Sequence, residues 1–534
     1  MSHAGRRLLL TIACLAGGGL AFPQSVTRDL RAPEGLEERV VEGKLRLGVA
    51  DAIQLVLLNS TDVRLSYLDF DDARYASLGA RQVFDPLFVT AFNTQRGISP
   101  TTSTLQGAET LDAVGQDGRA TIAQRVPFLG TRYDFTFSGS RADTNSRFST
   151  FNPAYNSDLT LRLTQPLFGH QSSFATRAVV LLAEHTVRES RATLEERLTR
   201  AIVGSVNAYW DAVQARESLA VARNSLELAE ATYERDKRGL ELGALPPLDI
   251  HRSESTVATR RLEVIQSEYA RKRSEDRLRR LIGADLDPQV AGLGLDLTEQ
   301  AVPSGELLAI DRASALDQAR SRRPEIEGLR HRLAATETGL RVARGNMRPD
   351  VSVSAFYSTS GRGGNALDPT SDPPTILSRG GFGQSLDQLR SLDFERYGLS
   401  VAVTLPLRNR GAEADLGQAR VDRERALYLM REQEQAVALD VQSAVDDLEK
   451  AKQSLSVSRL ARDLAQKTLE AEQRKRELGE NTLFFVLEAQ AGLASAELSY
   501  LRAAVEYQQA VTGVARATGT LLERHHVHIE EAGK

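Results

Sequence analysis

Twice along this chain a strand-like alternation runs up to a proline and changes, with no conventional loop, into a very long helical pattern. Leu159, Leu161 and Leu163 alternate with Thr160, Arg162 and Thr164 in the approach to Pro166. Leu399, Val401 and Val403 alternate with Ser400, Ala402 and Thr404 in the approach to Pro406. Period two puts apolar side chains on one face of a strand and polar ones on the other. A shift of 240 residues lays Pro166 on Pro406, and LTQPLFG on VTLPLRN; a shift of 236 lays Leu242-Gly243 on Leu478-Gly479. Upstream, a shift of 263 lays Pro86 of FDPLFVTAF on Pro349 of MRPDVSVSAF. Both halves read helix, strands, long helix, Gly-marked turn, helix, a duplication with long units rather than a short-period solenoid.

The helical stretches carry seams. Leu219, Ala222, Leu226, Ala229 and Tyr233 are spaced 3, 4, 3, 4, and Val437, Val441, Ala444, Leu448, Ala451 and Leu455 are spaced 4, 3, 4, 3, 4, the coiled-coil rhythm. The stretch from 169 to 238 would extend for about 100 Å at 1.5 Å per residue. Its return, 247 to 281, is half as long, and the upstream helix at 47–82 supplies the missing half. The second half repeats this with 410–476 balanced by 482–518 plus 312–347. Four such columns predict a rod. Apolar content of 41% with only 6% aromatic residues is thin for compact cores and suits narrow seams.

Segments of about ten residues, apolar on one face and polar on the other, are what a lipid-facing barrel with a wet lumen requires. Tyr133, Phe135 and Phe137, then Val351 and Val353, follow the same alternation. A soluble antiparallel sheet beside a coiled coil is the other reading, since alternation does not say what covers the apolar face. Pro166 and Pro406 are read as the barrel-to-helix junction, because proline ends a ladder and suits the first helical turn. The start, with Arg6, Arg7, an apolar run and Gly19-Leu20-Ala21, reads as a signal peptide. Its Cys14, the one cysteine of the chain, is a candidate lipidation site, with ordinary signal-peptide composition as the alternative. Beyond it no run of about 20 apolar residues exists.

The expected division is a signal peptide at 1–21, or a lipoprotein signal ending before Cys14, and an N-terminal extension at 22–46. A first repeat follows at 47–283 with strands at 85–166, then a linker at 284–311. A second repeat occupies 312–519 with strands at 349–406, followed by a C-terminal tail at 520–534.

The paired helix openings LTQPLFG and VTLPLRNRG, the helix-to-strand passages VFDPLFV and MRPDVSV, and the turns GLELGALPPLDI and RELGENTLFFVLEAQ occur in repeat order. In this the chain resembles the TolC-type outer-membrane efflux protein family over nearly its whole mature length. The resemblance implies a mainly α fold with membrane β: a homotrimer sharing one outer-membrane barrel that continues as a long helical barrel in the periplasm. It implies a passive exit duct of a tripartite efflux system, reached through a periplasmic adaptor and driven by an inner-membrane pump of the RND or ABC type. It also implies that the hairpin tips, Gly239, Leu242, Gly243, Leu478 and Gly479, meet the adaptor. Aligned on VLEA, Glu488 takes one acidic position of the family's periplasmic aperture, and Phe485 stands at the other; seam packing is the alternative for Phe485. Type I protein secretion through the same fold and a periplasmic coiled-coil scaffold without a pore remain alternatives. Family members contribute four strands each. The span from Pro86 to Pro166 is longer than that from Pro349 to Pro406, 80 against 57 residues, and 117–141 reads as an extra hairpin. Twelve strands per trimer is the expectation, eighteen if that hairpin joins the wall.

Little points to catalysis. The chain has no Walker A sequence, HExxH, GxSxG or cysteine pair. GRGGN at 361–365 reads as an external loop, and the His525-His526-Val527-His528 tail as solvated rather than metal-binding. No cofactor or metal is expected. A net charge of −4 with no basic block excludes a nucleic-acid footprint.

Overall fold

The computed structural model describes residues 32–527 and 529, except 103–106, 148, 171, 243–246, 304, 369, 372–374 and 479. Cys14 and the signal segment lie outside the described residues, as do Gly243, Gly479 and His528. In chain order the elements begin with β1 (Val40–Val41), β2 (Lys44–Leu47), α1 (Val49–Asn59), α2 (Thr61–Ala80), β3 (Leu87–Pro100), β4 (Thr110–Arg125), β5 (Arg132–Thr144) and β6 (Phe151–Phe168). They continue with α3 (Ser173–Glu241), α4 (Pro247–Leu281), β7 (Gly294–Leu297), α5 (Arg312–Arg322), α6 (Pro324–Asn346), β8 (Asp350–Asp368) and β9 (Thr375–Ser378). Last come α7 (Phe382–Ser391), β10 (Glu395–Thr404), α8 (Arg410–Glu477), α9 (Leu483–Ala517) and α10 (Leu521–Arg524). Two compact units result: Met1–Thr61 with Gly204–Ser304 and Val457–Val505, and Asp62–Val203 with Gly305–Ser456 and Glu506–Lys534.

In the first unit, the stretches expected as an extension and a linker both supply strands. β2 pairs in parallel with β7, Lys44 opposite Gly294 through Leu47 opposite Leu297, and β1 completes a three-stranded sheet. Parallel partners so far apart in sequence have no local signature, and each run is only four residues long. The sheet is pinned to α3 by Tyr209, which is fully buried and donates from its hydroxyl to Leu47 O at 3.2 Å and to the Glu299 carboxylate. Glu299 also accepts from Val49 N at 3.0 Å, capping α1, whose own N-cap, Gly48, has no side chain to offer. Burial and this carboxylate hold the Tyr209 phenol well above its ordinary range, so it stays a donor.

The second unit contains the large sheet, ordered β10-β8-β6-β5-β4-β3 with β9 on β8, all pairs antiparallel. The hairpin expected apart from the other strands is part of the same sheet: β4 and β5 are the central strands of its first half, so among the described residues the large sheet has six long strands where four were expected. Register sorts the faces. Tyr133 pairs with Leu163 and Phe135 with Leu161, Leu161 with Tyr357, and Val401 with Val353. On the opposite face hydroxyls meet across strands: Thr121 and Thr136 at 3.1 Å, Thr160 and Ser358 at 3.2 Å, Thr164 and Ser354 at 3.1 Å. Val401 is 62% exposed, and Leu161, Leu163 and Phe135 are also exposed. An antiparallel sheet in water buries its apolar face; this one leaves much of it bare.

Both prolines read as helix openers sit earlier than that. Pro166 lies inside β6, at a register shift between Pro166 and Phe168 where the ladder needs no donor from it. Pro406 lies between β10 and α8. The first junction turns instead at Gly169, whose φ is +88° and whose Cβ position would fall on the Asp350 carboxylate. That carboxylate accepts from His170 N at 2.6 Å. Only glycine fits such a left-handed corner without strain. GRGGN is likewise strand, not loop: it lies within β8, and α7 crosses so closely that a Cβ on Gly361 would meet Ser385 O and one on Gly363 would meet Gly381 O. The glycines mark a close backbone approach.

All six seam positions Val437 to Leu455 are buried, as are Leu219 and Ala229. The helix expected at 312–347 breaks at Arg323, before Pro324 at the first position of α6, because the residue before proline avoids helical geometry. Arg323 is buried at this break. Its guanidinium reaches Asp440 on α8 at 2.8 Å, and Arg516 of α9 reaches the other Asp440 oxygen at 2.6 Å. Burial alone would raise the Asp440 pKa; hydrogen bonds from Arg516 and Arg323 outweigh it and hold the carboxyl below its usual range. A depressed folded-state value contributes stability that is complete at neutral pH and is lost as pH falls through that value. Asp440→Ala should cost on the order of 2 kcal/mol and flatten this acid dependence, as read from thermal melting of helical circular dichroism across the acid range.

Candidate functional site

The two hairpin tips and the residues just beyond them form the candidate site, all within the first unit. α3 ends at Glu241, so Gly239 is in its last turn rather than in the loop. The helix closes with Leu242 N donating to Arg238 O at 3.1 Å, and α8 closes alike, Leu478 N to Arg474 O at 3.1 Å. Leu242 is 84% and Leu478 69% exposed. The duplication therefore ends each long helix on one leucine that is largely bare among the described residues. Gly243 and Gly479, the expected left-handed caps, are outside the described residues.

Beyond the second tip, α9 separates its faces. Leu483, Val486 and Gln490 are buried, while Phe484, Phe485 and Glu488 are exposed. Phe485 is therefore not in the intrachain seam; Val486 holds that place. Phe485 and Glu488, three residues apart, share one side of the helix. Phe484, which the sequence reading did not single out, meets Phe485 edge-on with centroids 5.5 Å apart, and the Arg252 guanidinium lies 5.8 Å from the Phe484 ring. The adjacent Phe-Phe pair was the available signal.

A buried polar ladder fastens the two hairpins just before the tips. Thr232 accepts from Gln490 Nε2 at 3.2 Å. One turn on, the fully buried Asp236 carboxylate accepts from Ser253 on α4 and from Arg476 on α8. Sequence reasoning missed it, yet a signal existed: Asp236 is three residues past Tyr233, the next position in the seam rhythm. A charge at a seam position is costly unless paired. Among the described residues no group of three or more His, Cys, Asp or Glu gathers as a metal site.

A bare apolar sheet face joined to long paired helices is the fold class of an outer-membrane channel, a β domain continued by a helical barrel. The outer membrane efflux protein family is matched over residues 104–284 and 315–520, and the chain belongs to it. It is 25% identical over 338 residues to the pyoverdine export outer membrane protein OpmQ of Pseudomonas aeruginosa, covering 62% of each chain. It is 22% identical over 441 residues to nodulation protein T of Rhizobium leguminosarum bv. trifolii, covering 80% of this chain and 87% of that one. The fold is similar to that of the outer membrane protein VceC of Vibrio cholerae, with a TM-score of 0.61 at 15% identity over 88% of this chain and 96% of that one.

Removing Arg476 alone leaves the Asp236 charge buried and unpaired, a loss of roughly 3–5 kcal/mol. Arg476→Ala should therefore speed amide exchange in residues 230–255. Asp236→Leu combined with Arg476→Leu should restore most of the protection, and failure of the pair to recover would assign the effect to lost shape rather than charge.

Proposed function

We propose that this outer membrane efflux protein is the exit duct of a tripartite efflux system, a homotrimer that is passive itself, met by a periplasmic adaptor and driven by an inner-membrane pump. The observation that carries the reading is the bare apolar face of the large sheet, with a hydroxyl-lined face behind it. Lipid is the solvent such a face requires, and a polar lumen accounts for the other. A coiled-coil scaffold without a pore has no use for either. The helical hairpins belong in the periplasm, with Leu242 and Leu478 as apolar knobs for an adaptor's helices. The relative named for pyoverdine export supports efflux over type I protein secretion.

Threefold symmetry would bring three Phe485 rings and three Glu488 carboxylates to one aperture. Converging carboxylates attract cations, and converging rings expel water. In single-channel recordings Glu488→Gln should lower cation selectivity with little change in conductance, whereas Phe485→Ala should raise conductance at every ionic strength. If neither moves, these residues do not line the pore. Leu242→Asp combined with Leu478→Asp should abolish export while trimers persist on gels; normal export would remove the tips from adaptor docking.

A further inference from the structure

Six strands in one chain change the size of the pore. β4 and β5 are integral to the sheet rather than a flap upon it. β4 pairs with β3 from Leu87 opposite Ala123 to Pro100 opposite Thr110, and β5 pairs with β6 from Arg132 opposite Thr164 to Ala142 opposite Ala154. Their connecting turn is fastened at the base of the sheet: Arg125 Nη1 donates to Thr176 Oγ1 of α3 at 3.2 Å, and Gln165 Nε2 to Leu129 O at 3.1 Å.

Among the long strands of the large sheet, β3 and β10 each have one partner and leave the other edge open among the described residues. Neither carries the devices that keep an edge single: β10 has no proline, β3 has one only at its last residue, Pro100, and neither has a register shift against its one partner. Edges left open in hydrocarbon are untenable, so something must pair them. β3 leaves the end of α2 and β10 returns into α8, so β3 of one copy lies antiparallel to β10 of the next. Phe88 and Phe92 on β3 continue the apolar face that Leu399, Val401 and Val403 form on β10.

We infer that three copies close an eighteen-stranded barrel by pairing β3 of each with β10 of its neighbour, giving an exit wider than the family's twelve-stranded wall. This rests on the trimeric channel proposed above. With strands about 4.8 Å apart and tilted about 40°, the backbone diameter rises from about 24 Å for twelve strands to about 36 Å for eighteen. Size selection of cargo then does not lie in the wall, and bulky hydrated solutes that a twelve-stranded exit excludes can leave.

The test uses full-length protein in outer membranes. Cysteines placed at Val89, Thr90 or Ala91 are combined with one at Ser400, Val401 or Ala402 and oxidised; a second set combines Val89→Cys with Thr160→Cys, which share one face of the sheet with β4 and β5 between them. Covalent trimers from the first set are expected, with no intrachain link in the second. Polyethylene glycols added on the barrel side of planar bilayers should enter up to a radius about 1.5-fold that of a twelve-stranded relative. Covalent dimers would mean two copies closing twelve strands and would overturn the inference. An intrachain Val89-to-Thr160 link in conducting trimers would place the hairpin outside the wall, overturning the width while leaving the channel reading intact. Monomers that neither cross-link nor conduct would overturn the channel reading itself.

Discussion

A sheet whose apolar face meets little of its own chain sets the terms for the rest of this protein. Leu161, Phe135 and Val401 stand on that face and are exposed, while Thr121, Thr136, Thr160 and Ser358 bond to one another behind it. Water on the first face would be unfavourable by roughly 25 cal/mol for each Å² of apolar surface, and lipid removes that penalty. Once lipid is the solvent, every backbone donor and acceptor in the sheet must find a partner within protein. The edges at β3 and β10 would therefore need partners from other copies of the chain, and the proposed trimer would follow from hydrogen-bond satisfaction rather than from added affinity.

The helices solve a different problem with the same economy. Long helices with narrow apolar seams bury little, so a few polar fastenings fix which helix meets which. Asp440 gathers Arg323 and Arg516 where α5 breaks into α6. Glu299 and Tyr209 tie the small sheet to α3, and Asp236 with Thr232 locks the paired hairpins before their tips. Each is a buried or half-buried charge or hydroxyl with matched partners, which specifies register more sharply than interchangeable alanines and leucines do. Their placement leaves Leu242, Leu478, Phe485 and Glu488 exposed.

Much of the architecture was legible because it is periodic. The seam from Val437 to Leu455 is buried at every residue named from spacing alone, and the alternation of Tyr133, Phe135 and Phe137 matches the observed face. What escaped was non-local or depended on close approach. β2 and β7 pair across some 250 residues with four residues each. GRGGN looked like a loop because glycine-rich strands do, and only the crossing of α7 explains them. Proline misled in the other direction: Pro166 bends a strand end, and Gly169 makes the corner. The aperture residues were reached through family resemblance; the buried Asp236 beside the tips lay in the seam rhythm itself.

A membrane barrel requires that one face of the large sheet meet lipid and the other water. A fluorophore attached at Val401 and, separately, at the adjacent Ser400 in reconstituted vesicles, challenged with brominated lipids and with aqueous iodide, tests it most directly. Lipid quenching at Val401 with iodide quenching at Ser400 is the predicted result. Iodide quenching at both positions, with no response to brominated lipid at either, would contradict a membrane barrel.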